Sequence, residues 1–399
     1  MAPLWSSLSS LYQQYSPLPT GESSNGTPDS SLNSLKVRPS IGQILMSKRV
    51  RYAGTAIAAL GLFVLAFRNY DSLPSLETLK SGYGAVASNP NSDCPVASIP
   101  ASYDDSHINW HRYAYTQYVT NQAYLCNSVM IFETLQRLKS KADRVMMYPE
   151  TMMDPKATSG ATEEQRLLIK ARDKYQVKLQ PVAVQKRMGG DSTWAESFTK
   201  LLAFNQTQYE RVLNMDSDGT VLQHMDELFL LPPCPVAMPR AYWLFPDSKI
   251  LSSQLMLVQP SAVEMDRIMK KMDEAGKNDY DMEIVNQLYL DQAMILPHRP
   301  YDLLTGEFRG SNHEKYLGTD REEWDPLKIY NEAKFLHFSD WPVPKPWIPM
   351  QDSMRKDKQP ECVQKDGAED CTARQLWNDF YNDFAKRRKD VCNTKPSRR

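Results

Sequence analysis

From about residue 113 onward the apolar positions follow two alternating periods. Tyr115 to Thr120, Arg144 to Tyr148, Val177 to Val184, Tyr209 to Met215, Pro235 to Met238 and Leu255 to Val258 are short runs of branched, aromatic and sulfur-bearing residues that read as strands. Between them, Ala123 to Leu138 carries Leu125, Val129, Phe132 and Leu135 at helical spacing, and Glu163 to Lys174, Trp194 to Ala203, Ala262 to Ala275 and Met282 to Tyr289 read as further helices. This alternation predicts an α/β domain, a mostly parallel sheet covered on both faces. Ligands in such a fold collect beyond the carboxyl ends of the strands.

Ahead of that domain the pattern changes. Residues 1 to 47 are rich in Ser, Pro, Asn and Gly and predict a disordered, cytosolic tail. Tyr52 to Phe67 is uncharged and flanked by Lys48-Arg49, Arg51 and Arg68, a little short of the ~20 residues of a full membrane span. A buried core helix would show a polar face, and this run shows none. Residues 52–68 therefore read as a single N-terminal signal-anchor with its basic flank cytosolic. Residues 69–110, with Gly82, Gly84, Pro90, Pro95 and Pro100, read as a lumenal stem, 111–350 as the folded domain and 351–399 as a C-terminal helical extension. In that extension Leu376, Trp377, Phe380, Tyr381 and Phe384 recur at helical spacing, and Lys386-Arg387-Arg388-Lys389 with Arg398-Arg399 reads as a solvated basic end.

Composition narrows the function. The chain has 399 residues and a formal net charge of −1, so no excess of positive charge argues for a nucleic-acid partner. Its six cysteines are too few for a disulfide scaffold, although Cys362 and Cys371 could close a short loop in an oxidising compartment. Asn205-Gln206-Thr207 is a glycosylation acceptor expected to be lumenal, and Asn25-Gly26-Thr27 one expected to be cytosolic and unmodified.

The candidate chemistry centres on Asp216-Ser217-Asp218, which ends the run Arg211 to Met215 and precedes Gly219. Residues two apart in extended chain point to one side, so both carboxylates can face one hard cation that clamps a diphosphate. The same spacing at Asp279-Tyr280-Asp281 has no strand before it and reads as a solvated loop. Tyr124 either stacks on a pyrimidine or packs in the core, and Lys200 either reaches a phosphate or sits on a helix surface. His337 is either a hydrogen-bonded structural residue or a metal ligand, and Lys345, between Pro344 and Pro346, either a surface lysine or a point charge for a phosphate.

In their order along the chain these residues resemble glycosyltransferase family 8, the glycogenin-like enzymes, and within it the fungal Golgi N-acetylglucosaminyltransferases. The resemblance spans about residues 113 to 350: Thr120-Asn121-Gln122-Ala123-Tyr124, Phe198-Thr199-Lys200-Leu201, Asp216 and Asp218, Ser252-Ser253, Asp291-Gln292, His337-Phe338 and Lys345-Pro346-Trp347. It implies a GT-A type, nucleotide-sugar-binding, Rossmann-like domain with a mixed sheet. It further implies Mn2+ (or Mg2+) on Asp216, Asp218 and His337, and a UDP-sugar held by Thr120, Asn121, Tyr124, Lys200, Ser253 and Lys345. Asp291, Gln292 and Lys345 are the implied catalytic groups of a reaction that retains anomeric configuration. The chain departs from the family in having Ser252-Ser253-Gln254 for Asn-Ser-Gly, Asp340 for a Gly, and a His337-to-Lys345 segment longer than in glycogenin. Its His-Phe-Ser-Asp-Trp-Pro form and Pro297-His298-Arg299-Pro300-Tyr301 point to the fungal subgroup, with His298 and Arg299 as candidate acceptor contacts. The implied function is transfer of N-acetylglucosamine from a UDP donor to a mannose-rich glycan or glycoprotein, by a single-pass type II Golgi membrane protein. UDP-glucose or UDP-galactose as donor, and a non-catalytic Golgi nucleotide-sugar-binding or scaffold protein, are the alternatives.

Overall fold

The computed structural model describes residues 105–185, 196–276 and 278–393. The expected tail, the anchor at 52–68, nearly all of the stem, Asn25, Trp194 and the terminal Arg398-Arg399 lie outside them. Among the described residues no helix is long and apolar enough to cross a membrane.

The elements lie close to where the periodicity puts them. Strands β1 (Tyr113–Tyr118), β2 (Asp143–Pro149), β3 (Val177–Val182) and β4 (Arg211–Met215) alternate with helices α1 (Gln122–Arg137) and α2 (Glu163–Tyr175). Asn121 starts α1 by accepting from the Ala123 and Tyr124 N–H groups, and a Thr162/Gln165 capping box starts α2. The segment expected as a helix from Trp194 is a 3-10 helix over Ser197–Asn205. There follow β5 (Gly219–Val221), β6 (Val236–Pro239), β7 (Leu255–Val258), α3 (Ala262–Asp273), α4 (Asp281–Tyr289), β8 (Met294–Leu296), β9 (Leu303–Leu304) and β10 (Phe335–His337).

The main sheet has seven strands in the order β3-β2-β1-β4-β7-β6-β8. It is mixed: β3, β2, β1 and β4 are mutually parallel, whereas β7 runs antiparallel to both β4 and β6. The chain leaves β1 toward β2 and β3 and then returns to the other side of β1 as β4, so the crossovers diverge beyond the carboxyl ends of β1 and β4. Thr120 follows one of those ends and Asp216 the other.

Alternate residues of each strand supply two cores. Tyr115, Met146, Leu213 and Met215 face a cluster containing α1, α2 and the C-terminal helix Thr372–Cys392. Ala114, Val145, Val212 and Met256 face one built from the 3-10 helix, α3 and α4. Trp377, Phe380, Tyr381 and Phe384 are buried, as their spacing predicts. The basic run after them is not a solvated end: Arg387 donates to the Met130 carbonyl at 2.8 Å and Arg388 to the Ala123 carbonyl at 3.1 Å, which fastens the helix to α1. A Cys126–Cys392 disulfide joins the same two helices across 266 residues of sequence, and Cys362–Cys371 closes the hairpin of β11 (Val363–Lys365) and β12 (Ala368–Asp370).

A second, three-stranded sheet, β5-β10-β9, carries the consequence for function. β10 pairs antiparallel with β5 in a register that sets His337 opposite Gly219. A side chain at Gly219 would meet the Phe335 ring at 2.3 Å, so the close approach of the two strands requires glycine directly after Asp218.

Candidate metal and donor site

Asp216 and Asp218 leave the end of β4 toward different partners. Asp216 turns to the face that carries the 3-10 helix and α4, where its Oδ1 lies 2.6 Å from the Nζ of Lys200. That Lys200 is 3% exposed, and its Nζ also contacts Asp281 Oδ2 at 2.7 Å and the Ser253 carbonyl at 3.2 Å. Asp218 enters β5, where the pairing with β10 delivers His337. His337 Nε2 lies 2.9 Å from Asp218 Oδ1 and 3.9 Å from Asp216 Oδ2. Lys345 completes the group, its Nζ 2.7 Å from Asp218 Oδ2 and 2.8 Å from the Phe338 carbonyl.

Charge and burial separate the two acids. Burial pushes the Asp216 carboxyl up, against the pull of Lys200. Burial also acts to raise Asp218, but His337 and Lys345 outweigh it and hold that carboxyl well below the usual range. Lys200 shows the converse balance, since burial favours its neutral amine and Asp216 and Asp281 keep it charged. Three carboxylates, Asp216, Asp218 and Asp281, thus share two ammonium groups and the His337 ring. Asp216 Oδ1 meets Lys200 as an ion pair without an aligned hydrogen bond, and His337 Nδ1 is buried with no hydrogen-bond partner. One ligand atom each from Asp216, Asp218 and His337 falls within 4.8 Å of the others. Two hard oxygens and one nitrogen in that arrangement suit a divalent ion such as Mn2+.

The other expected site residues differ in how near they come to this cluster. Tyr124 sits in the first turn of α1, its ring 5.4 Å from that of Trp347, and its hydroxyl is pushed up to about 12 by burial and then by Asp218 and Asp216. Thr120 is half-buried and lines a cleft of about 650 Å³ at the carboxyl ends of β1, β2 and β3, with Pro149, Glu150 and Val182. Asn121 uses its side-chain oxygen to cap α1. Ser253 donates to Asp281 at 2.8 Å. Asp291 and Gln292 stand apart: both are exposed in the turn between α4 and β8, while Asp281 opens the opposite end of α4, about 13 Å away along the axis of a nine-residue helix.

Asp281 is the residue the sequence reading missed. Asp279-Tyr280-Asp281 is not a solvated loop: Asp281 is 6% exposed and joined to Lys200 and Ser253, and Asp279 accepts from the Gly276 N–H at 2.7 Å. The available signal was its position directly before Met282, Ile284 and Val285, the buried face of α4. His298 and Arg299 are occupied by structure. His298 stacks on Tyr242 and meets the Tyr316 carbonyl at 2.6 Å, and Arg299 pairs with Glu322 and Glu332 at 2.6 and 2.7 Å.

Fold and site together define the class: a mixed-sheet α/β protein whose topological switch point carries an acid and imidazole cluster of divalent-cation type. No family model matches the chain. Glucose N-acetyltransferase 1 of Gibberella zeae is 61% identical over 290 residues, 72% of this chain and 64% of that protein. The protein of the same name from Aspergillus fumigatus is 46% identical over 317 residues, covering 75% of this chain and 81% of its own length. The chain belongs to the Glucose N-acetyltransferase 1 family. It spans 64% of the length of the Gibberella relative. Similar solved structures include the WbbM bifunctional glycosyltransferase (14% identity, TM-score 0.47, 71% of this chain and 52% of that one). Another is the galactosyltransferase LgtC with donor and acceptor sugar analogues (11% identity, TM-score 0.45, 72% and 97%).

Proposed function

We propose that this protein is a glycosyltransferase that moves a sugar, N-acetylglucosamine, from a UDP donor to a mannose-rich glycan, with retention of anomeric configuration. The observation that carries the reading is the meeting of Asp216, Asp218 and His337 at the switch point, with Lys345 on Asp218 and Tyr124 close enough to feel both acids. When bound there, Mn2+ would neutralise the charge that builds on a departing diphosphate. Asp216, Asp218 and His337 would hold it. Lys345, 39% exposed at its side chain, can trade its contact with Asp218 for a phosphate oxygen once the acids are neutralised. Lys200 and Asp281 lie deeper, where a buried pair can hold Asp216 in place and offer a carboxylate toward sugar hydroxyls. The cleft beyond β1, β2 and β3 offers room for the nucleoside. Asp291 and Gln292 could serve the reaction only from the far end of α4, so Asp281 takes their place in this reading.

The reading extends to a Golgi enzyme of type II topology with the domain in the lumen. Two disulfides fit an oxidising compartment, and Asn205 and Thr207 of the glycosylation acceptor are both exposed at the end of the 3-10 helix. UDP-glucose or UDP-galactose as donor would use the same groups. The relatives' name, read literally, describes acetyl transfer instead, and a carboxylate pair with an imidazole beside a lysine suits a diphosphate better than a thioester. The test offers purified full-length protein a panel of UDP-sugars with and without Mn2+, with donor hydrolysis and transfer to a mannose oligosaccharide as readouts and acetyl-CoA with glucosamine as the competing arm. Mn2+-dependent release of UDP from one donor is expected. Acetyl transfer without UDP release, or UDP-sugar binding without turnover, would replace the proposal.

A further inference from the structure

His337 and Lys345 both touch Asp218, and the segment between them makes a single turn with an indole at its tip. The Phe338 N–H donates to the Asp218 carbonyl at 2.8 Å, and the Val343 N–H to the Asp340 carbonyl at 2.7 Å, which leaves Trp341 and Pro342 at the apex. The base of the turn is fastened on all sides. Asp340 is buried and accepts from Arg309 Nε at 2.6 Å and from Trp377 Nε1 at 2.7 Å. Arg309 also donates to the Trp341 carbonyl at 3.0 Å, and the Gly306 N–H to the Ser339 carbonyl at 3.2 Å. A Cβ at Gly306 would come within 2.9 Å of that carbonyl oxygen, so the turn is seated on the 3-10 helix Thr305–Arg309 as closely as a glycine allows. On this anchored seat Trp341 is nevertheless 43% exposed, and Ile348, three residues past Lys345, is 49% exposed.

A large apolar ring held in water by a web of buried hydrogen bonds, next to a cation site, calls for an occupant with matching chemistry. A hexopyranose has it: one face of C–H groups to lie on an aromatic ring, and a rim of hydroxyls to meet cationic donors. Donors of that kind hold the two ends of the same turn, Arg309 on the Trp341 carbonyl and Lys345, four residues further on, at Asp218. We propose that Trp341 is the stacking platform for a hexopyranose of the acceptor glycan, placed by the His337–Lys345 turn beside the metal and donor site. The proposal rests on the glycosyltransferase reading for the identity of its ligand as acceptor, and names the surface on which that acceptor lies.

The test measures two affinities separately on full-length protein: a mannose oligosaccharide, titrated in the presence of Mn2+ and UDP, and Mn-UDP itself. Trp341→Ala should weaken oligosaccharide binding by roughly three- to tenfold, the range expected for loss of an aromatic stacking contact. Trp341→Phe should restore most of it, and Mn-UDP affinity should stay unchanged in both variants. Equal oligosaccharide affinity in wild type and Trp341→Ala, no oligosaccharide binding by wild type, or a parallel loss of Mn-UDP affinity would each overturn the platform. Absence of Mn-UDP binding by wild type would instead sink the glycosyltransferase reading, while the oligosaccharide titration would still decide whether Trp341 holds a sugar.

Discussion

Around Arg299 and around Asp218 the same fold assembles two clusters of charged and aromatic side chains, and they differ in how much hydrogen-bonding capacity remains. Arg299 lies in a closed network: its guanidinium meets Glu322 and Glu332, Lys328 joins Glu322, and His298 is taken up by Tyr242 and the Tyr316 carbonyl. Near Asp218 the balance is unfinished. Acids outnumber ammonium groups, His337 Nδ1 has no partner, and the oxygens of Asp216 and Asp218 that face the imidazole are close enough together to share one ion. Both clusters contain a His and strong charges, so residue type does not distinguish them. The close approach of two carboxylates and one ring nitrogen does, because like-charged oxygens set that near one another are costly unless a cation lies between them.

That contrast can be tested by breaking each side of it. The largest effect is expected for Lys200→Met, which leaves the buried carboxylates of Asp216 and Asp281 without their shared cation. Loss of about 3–5 kcal/mol in urea unfolding follows from stranding buried charge, and a variant as stable as wild type would show that Asp216 and Asp281 do not depend on Lys200. Asp218→Ala should come next, lowering Mn2+-dependent turnover on the order of 100-fold. Full activity in that variant would remove the metal role. Arg299→Ala should cost about 1–2 kcal/mol of stability and leave kcat and KM alone, as expected of a partly exposed structural network; a selective rise in acceptor KM would return Arg299 to the site.

The smallest effect sharpens the comparison at a third position. Asp302 is fully buried behind the site, neither carboxylate oxygen makes an aligned hydrogen bond, and burial, only partly opposed by the Ser252 hydroxyl, pushes its carboxyl well above the usual range. The folded protein therefore keeps a proton there that the unfolded chain releases above about pH 4. Stability falls as pH rises from that point through the folded value. Asp302→Asn should accordingly be more stable than wild type at pH 7, by about 1 kcal/mol, and the gap should close toward pH 4. A variant that is less stable at pH 7 would mean that Asp302 is charged and satisfied.

Much of the fold was legible in the sequence. Period-two runs located β1 to β4, β6 and β7 to within a few residues, because each strand buries alternate side chains in two different cores. The Trp377, Phe380, Tyr381, Phe384 stripe located the C-terminal helix for the same kind of reason. What misled was chemistry judged by neighbours in sequence. Asp281 looked solvated because Gly276 and Asn278 precede it, yet α4 carries it into the interior to meet Lys200. Arg387 and Arg388 looked like a free basic end, yet their helix lies along α1, whose carbonyls and side chains take up their guanidinium groups.

The chain by itself determined its elements, the acid pair after β4 and the glycine that follows it, since backbone preference and hydrophobic period act over a few residues. Only the tertiary structure decided which distant groups join that pair. The β5–β10 register sets His337 beside Asp218, 119 residues away, and the packing of α4 on the second core sets Asp281 beside Lys200, 81 residues away. Contacts of that reach depend on how whole strands and helices pair and pack, and no local pattern of side chains encodes the distance between them.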